Sequence, residues 1–299
     1  MGNIYKETGE WEKALEYYRK VRELKKSIGD VMGDSGLLNV ISCTNFLFGN
    51  YHQAIKDYEE SLKIAKITDD AILLSCILST GGKCYLDICD FKKALQCEQK
   101  RLHLTQNMMD LKTKGSILAH ISNIDLAQGN LSEAEAYLEE SLKFRDGLKD
   151  KGGIGECFFI FGKLFLEKGK KIKSRVELEK ALKYTKDAIQ FFEKAYNVFE
   201  LPQAKLLLAR IYLYLGEYEE AKEWMLKSRQ RFTELTLFFR IKETEMIEGQ
   251  IIFAESQNKC DIRERSLELV NSAKQLFNEI GASLLEREAE EIINSMICT

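Results

Sequence analysis

The stretch Gly9-Glu10-Trp11-Glu12-Lys13-Ala14 is written again, 40 residues on, as Gly49-Asn50-Tyr51-His52-Gln53-Ala54. The phrase is a break, a polar residue, a large apolar residue and then, three further on, Ala. It returns as Cys89-Asp90-Phe91 with Ala94 and as Gly129-Asn130-Leu131 with Ala134. A weaker copy falls at Gly169 and Ser174, and a full one at Gly216-Glu217-Tyr218 with Ala221. A fixed period of this size marks a solenoid, in which each unit buries its apolar face against its neighbours. Between the marks, segments such as 14–24 and 134–144 space apolar residues by three and four, no segment alternates as a strand does, and Pro202 is the single proline. The chain reads as all-α.

Each part of the phrase has a physical role. Glycine ends the first helix of a unit because it takes a left-handed conformation without strain, and the 19 glycines read mainly as such breaks. The Glu, Asn or Asp that follows suits the free N–H groups at the start of the second helix. The aromatic packs back across the turn, and Ala lets the two helices approach closely. Seven residues before each break stands a small residue: Gly2, Ser42, Gly82, Ser122, Gly162 and Ala209.

On these residues, most fully in 1–24 and 206–232, the chain resembles the tetratricopeptide repeats. The 40-residue spacing is similar to the longer-helix variety in kinesin light chains, spindle-orientation scaffolds and bacterial signalling proteins. The family's closing proline is replaced by turns such as 27–30, 67–70 and 147–150. The resemblance implies a right-handed α-solenoid of about seven helix pairs plus a C-terminal capping helix, as a single domain over 1–299. The repeats then run roughly 1–34, 35–74, 75–114, 115–154, 155–201, 202–241 and 242–281, with the cap at 282–299. Two departures stand out. Ala181 comes seven residues later than the period requires, behind the basic segment 168–175, and these two extra turns are expected to extend the second helix. Residues 256–261 read as a lengthened turn.

Composition narrows function further. With 44 Lys and Arg against 47 Asp and Glu, the net charge of -3 argues against a dedicated nucleic-acid binder. No apolar run is long enough to span a membrane, and the first residues lack a secretory leader, so the chain is expected in the cytoplasm without a membrane partner. The eight cysteines contain no CxxC pair and read as small, buried, reduced thiols. The histidines His52, His103 and His120 are scattered, and no metal or other cofactor is expected. No phosphate loop, nucleophile elbow or metalloprotease motif is present, so no enzymatic activity is expected.

The resemblance implies a non-catalytic scaffold that holds a protein or peptide segment, an acidic one included, in its concave groove. Ten residues before each break, the groove row reads Asn39, Ser79, Ala119, Phe159 and Leu206. Six before, it reads Asn3, Cys43, Lys83, Asn123, Lys163 and Arg210; three before, Lys6, Phe46, Leu86, Leu126, Leu166 and Leu213. The strongest groove candidates are Asn39, Lys83, Asn123, Phe159, Lys163, Leu166, Arg210 and Leu213, a ladder of amides and cations beside an apolar stripe. The carboxylate clamp of chaperone-binding members is not matched, because Cys43 and Ser79 stand where it needs an amide and a cation. The basic segment 168–175 reads as a solvated loop or helix start, without the interleaved aromatics of a single-strand binder. Two alternatives stay open: a peptide-sensing regulator, and the regulatory portion of a larger signalling enzyme or transcription regulator. Because the first repeat begins within its first helix, Trp11 is expected either to drive self-association or to fray.

Overall fold

A computed structural model describes residues 1–68, 70–106, 110–256 and 260–297, with the backbone alone at 260 and 261. Fifteen helices are arranged as seven antiparallel pairs and a cap, and no strand occurs among the described residues. The first helices are α1 (Gly2–Glu7), α3 (Val31–Phe48), α5 (Ala71–Asp87), α7 (Leu111–Gln128), α9 (Lys151–Ile172), α11 (Glu200–Leu215) and α13 (Phe238–Glu255). Each is followed by its partner: α2 (Trp11–Ser27), α4 (Tyr51–Ala65), α6 (Phe91–Thr105), α8 (Leu131–Gly147), α10 (Arg175–Lys194), α12 (Tyr218–Glu234) and α14 (Cys260–Ile280). The cap is α15 (Ser283–Ile297).

The turn inside each pair follows from its backbone bonds. Gly49, Gly129 and Gly216 close their helices at φ 93°, 85° and 82°. The next N–H then reaches back five residues, from Asn50 to the Asn45 carbonyl and from Glu217 to that of Tyr212, at 2.8 and 2.9 Å. Cys89 takes the same left-handed conformation at φ 60°. The polar residue after the break has a different job from the one its type suggests. Asp90 caps α6 with its side chain, but Glu10, Asn50, Asn130 and Glu217 do not cap theirs. Side-chain capping is strongest at the inter-repeat turns, where Asp30, Asp70 and Asp110 accept from backbone N–H groups of the following first helix. Each of these first helices consequently begins a few residues before the repeat boundary drawn from sequence. Most glycines are not breaks: Gly82, Gly155, Gly162 and Gly249 lie inside helices, where a neighbouring helix packs closely.

Ala14, Ala54, Ala94, Ala134, Ala181 and Ala221 are fully buried at the crossings. The small residue opposite takes part: the Ser42 hydroxyl donates to the Ala54 carbonyl and that of Ser122 to Ala134, each at 2.7 Å. A second row of hydroxyls ties the far end of each pair. Ser61, Ser141 and Ser228 on the second helices donate to the carbonyls of Ser35, Gly115 and Pro202.

The basic insertion is shared between two helices rather than absorbed by one. α9 runs past Gly169 to Ile172 and is closed by Lys173 at φ 51°, while α10 starts at Arg175 behind an Ser174 cap. Adding about one turn to each keeps both buried faces in phase. Most of its charges are paired locally, Lys168 with Glu135, Lys170 with Glu167, and Arg175 with Glu179. The turn expected at 256–261 lies mostly outside the described residues.

The solenoid also closes on itself. The Trp11 indole N–H donates to the Leu235 carbonyl at 2.6 Å, and the Thr236 hydroxyl to that of Gly9 at 2.8 Å. Tyr51 packs edge-on to Phe239 and joins a core of Met246, Val270 and Phe277. Arg287 of the cap donates to the Ala127 carbonyl at 2.8 Å and lies over Phe91. Trp11 is therefore buried by its own chain, and the open face expected to drive self-association or fraying is occupied.

Candidate functional site

The groove rows divide at the middle of the molecule. In the early repeats they remain open. Asn39, Cys43 and Phe46 of α3 face Ser79, Thr80 and Lys83 of α5 across a cleft of about 330 Å³. Ser75 and Cys76 of α5, Arg101 of α6 and Thr113 of α7 complete its wall. Cys43 Sγ lies 3.1 Å from Thr80 Oγ1. Lys83 is exposed and Asn123 half-buried.

In the later repeats the same rows are filled. Phe159, Leu166, Leu206 and Leu213 are buried within the main core, so they are not open to a partner in this arrangement. Lys163 and Arg210 lie in an enclosed charge network. Arg210 pairs with Glu243 at 3.3 Å and with Glu288 at 2.6 Å, and Arg240 pairs with Glu243 at 2.7 Å. Burial would raise the Glu243 carboxyl, but Arg240 and Arg210 outweigh it and hold the group below the usual carboxylate range. Burial lowers Lys163 despite the opposing pull of Asp87, and burial raises Asp87 despite Arg240 and Lys163. Charge here serves closure, because α5, α9, α11, α13 and α15 all contribute.

A second chain of charges runs behind the open cleft. Glu98 is fully buried, with Arg101 Nη1 at 2.5 Å from one oxygen and His120 Nδ1 at 3.0 Å from the other. His120 leads on to Glu156 at 3.7 Å, and Glu156 to Arg145 at 2.8 Å. Burial pushes the Glu156 carboxyl up, yet His120, Lys83 and Arg145 together bring it below its ordinary value. The thiols divide: Cys84, Cys97 and Cys157 are buried, whereas Cys76 is exposed on the cleft wall. Burial raises the Cys157 thiol to about 11. Among the described residues no group of three or more His, Cys, Asp or Glu side chains is placed to hold a metal ion.

Family models described as tetratricopeptide repeat match residues 1–32, 36–68, 115–145 and 202–228. These four segments of the chain are tetratricopeptide repeats. A comparison with curated proteins gives no match. Among solved structures, it is similar to a Rap protein complexed with competence and sporulation factor, at 14% identity and a TM-score of 0.66, over 99% of this chain and 96% of that one. It is also similar to the Rap conjugation gene regulator of plasmid pLS20 in complex with the Phr* peptide, at 17% identity and 0.66, over 91% and 75%. Aspartyl phosphate phosphatase F from Bacillus subtilis matches at 14% identity and 0.58, over 90% and 73%. Identities this low show the shared fold.

Three residues, Arg101 on the cleft wall with Glu98 and His120 behind it, escape a reading of breaks and alanines alone. Spacing by the period places Arg101 in the row of Ser61 and Ser141, Glu98 in that of Tyr58 and Leu138, and His120 in that of Thr80 and Ile160. Three ionisable side chains in rows otherwise apolar or hydroxylic were a visible signal. Gly82 belongs to the same departure, since a Cβ there would stand 2.7 Å from a Glu98 oxygen.

Proposed function

We propose that this repeat protein is a non-enzymatic scaffold that holds a peptide, or an extended segment of a partner protein, in the open concave cleft. The observation that carries the reading is the cleft between α3 and α5, walled by Asn39, Cys43, Phe46, Ser79 and Lys83. Amide and hydroxyl side chains there offer hydrogen bonds to an extended main chain, and Phe46 offers an apolar contact. Rap structures of similar fold, solved with competence and sporulation factor and with the Phr* peptide, support a peptide ligand. The row continues through Asn123, and we place the cleft's far end there. Lys163, Arg210, Phe159, Leu166 and Leu213 become groove surface if the closed ends part.

That last point favours a second reading, a peptide-sensing regulator. The contact from Trp11 to Leu235 joins the first helix pair to the end of the sixth, and that from Arg287 to Ala127 joins the cap to the fourth. A ligand that prefers one degree of closure would shift it. No described helix is long and apolar enough to cross a membrane. The unpaired buried thiols fit a reducing compartment, and we propose the cytoplasm.

Panning a displayed random dodecapeptide library on the full chain tests the site. Cys76→Trp places an indole on the cleft wall from an exposed position. Binders should be recovered on the wild type and lost on Cys76→Trp; binders retained equally by both would overturn the cleft as the site.

A further inference from the structure

The cleft also carries a chemical preference, and the inference rests on the peptide-binding reading above. Among the described residues its charged wall residues are Lys83 and Arg101, both cations, and no acidic side chain lines it. The remaining walls are amide, hydroxyl, thiol and one aromatic ring.

Arg101 is unusual in two ways. It occupies the row in which Ser61 and Ser141 tie second helix to first, and it is only 4% exposed. Its Nη1 is engaged by Glu98 and His120, but its Nε is buried with no hydrogen-bond partner among the described residues. Asn39 Oδ1, in the same cleft, is likewise buried and without a partner. Buried donors and acceptors are normally met, because leaving one unmet forfeits its hydration. The cleft wall therefore holds an unmet donor on a guanidinium and an unmet amide acceptor, both reached only when the wall side chains shift, beside the exposed ammonium of Lys83.

One kind of group answers all three. A carboxylate accepts from Arg101 and neutralises Lys83, and an adjacent backbone N–H donates to Asn39. We propose that the cleft seats the side-chain carboxylate of an Asp or Glu residue in the bound peptide. A free inorganic anion meets the cations but offers no donor to the amide. The departures of the third repeat fit this use. Gly82 makes room for Glu98, and Glu98 and His120 hold the guanidinium from behind. Arg101 stands on a second helix, so the arrangement differs from a row of first-helix groove residues.

The test starts from peptides captured by the wild type and lost on Cys76→Trp, synthesised with amidated C-termini. Replacing their Asp or Glu by Asn or Gln should weaken binding about tenfold or more, measured by fluorescence polarisation. Lys83→Glu, at an exposed position that leaves the fold intact by circular dichroism, should weaken the acidic peptides similarly. It should also strengthen the same peptides carrying Lys in place of the acid. Arg101→Lys, which keeps the charge and removes the Nε donor, should weaken acidic peptides and leave their amide forms unchanged. Cleft-dependent binders without an acid, or with affinity unmoved by acid-to-amide replacement, would overturn the carboxylate while leaving the peptide site standing. Binding lost on C-terminal amidation alone would overturn the side-chain source. Binders indifferent to Cys76→Trp would instead remove the cleft itself.

Discussion

Lys173 closes α9 in the left-handed region, where a side chain costs roughly 1–2 kcal/mol relative to glycine. It is exposed and makes no ion pair with a described residue. Lys173→Gly should therefore stabilise the protein by about 0.5–1 kcal/mol, after the larger unfolded-state entropy of glycine is subtracted. Urea unfolding should show a higher midpoint, and an unchanged or lower one would mean the strain is absent. Ala134 is the opposite case. It has no exposed surface, and Ser122 binds its carbonyl at 2.7 Å. Ala134→Leu should overpack the crossing and cost about 1–3 kcal/mol, read as a lower thermal midpoint. Both sites show what was legible at this scale. Close approach between helices tolerates few residue types, so the buried alanines could be read from spacing. Gly169 could not, because a helix-internal glycine and a helix-ending glycine are the same letter.

At the scale of the element, periodicity assigns each residue to a helix and a face, and those assignments place Asn39, Cys43, Phe46, Ser79 and Lys83 around one cleft. What it could not reveal is which helix lies opposite once the solenoid curves. Arg210 reads as a groove cation on α11, yet α13 and α15 bring Glu243 and Glu288 against it. Arg210→Glu should consequently cost about 3–5 kcal/mol, since it gathers three carboxylates in a nearly enclosed site. A double change at Lys163 and Arg210 reports on folding as much as on binding, and an unaltered melt for Arg210→Glu would break the network assignment. The pH response has a definite sign. The folded protein holds Glu243 below its ordinary value of 4.5, so its contribution is complete above that pH and is lost as pH falls through the lower folded value. Arg240→Met removes the closest cation, at 2.7 Å, and should move the onset of acid unfolding to higher pH.

Closure belongs to the whole molecule, and it has the weakest signature in the sequence. Its hydrogen bonds link residues 160 to 227 positions apart, and no local period encodes them. Trp11 and Tyr51 are the informative pair. Both occupy the repeat's aromatic position, where Phe91, Leu131 and Tyr218 stay only half-buried, yet Trp11 and Tyr51 are 2% and 1% exposed. The difference is the covering supplied by Phe199, Leu235 and Phe239. Trp11→Ala should remove a stacked contact with Phe48 at 5.7 Å between centroids and the bond to the Leu235 carbonyl. The expected cost is about 3–5 kcal/mol of stability. It should not be confined to the first repeat. Since Gly9 also accepts from Thr236, releasing the Trp11 turn frees both sides of the contact. Hydrogen exchange should accelerate in residues 1–30 and, to a comparable degree, around 235–240, while the α7–α8 pair keeps its protection. Scattering should show a larger radius of gyration. Faster exchange in the first repeat with 235–240 unchanged would mean that the two ends touch without holding each other, and closure could not then transmit ligand binding from one end of the solenoid to the other.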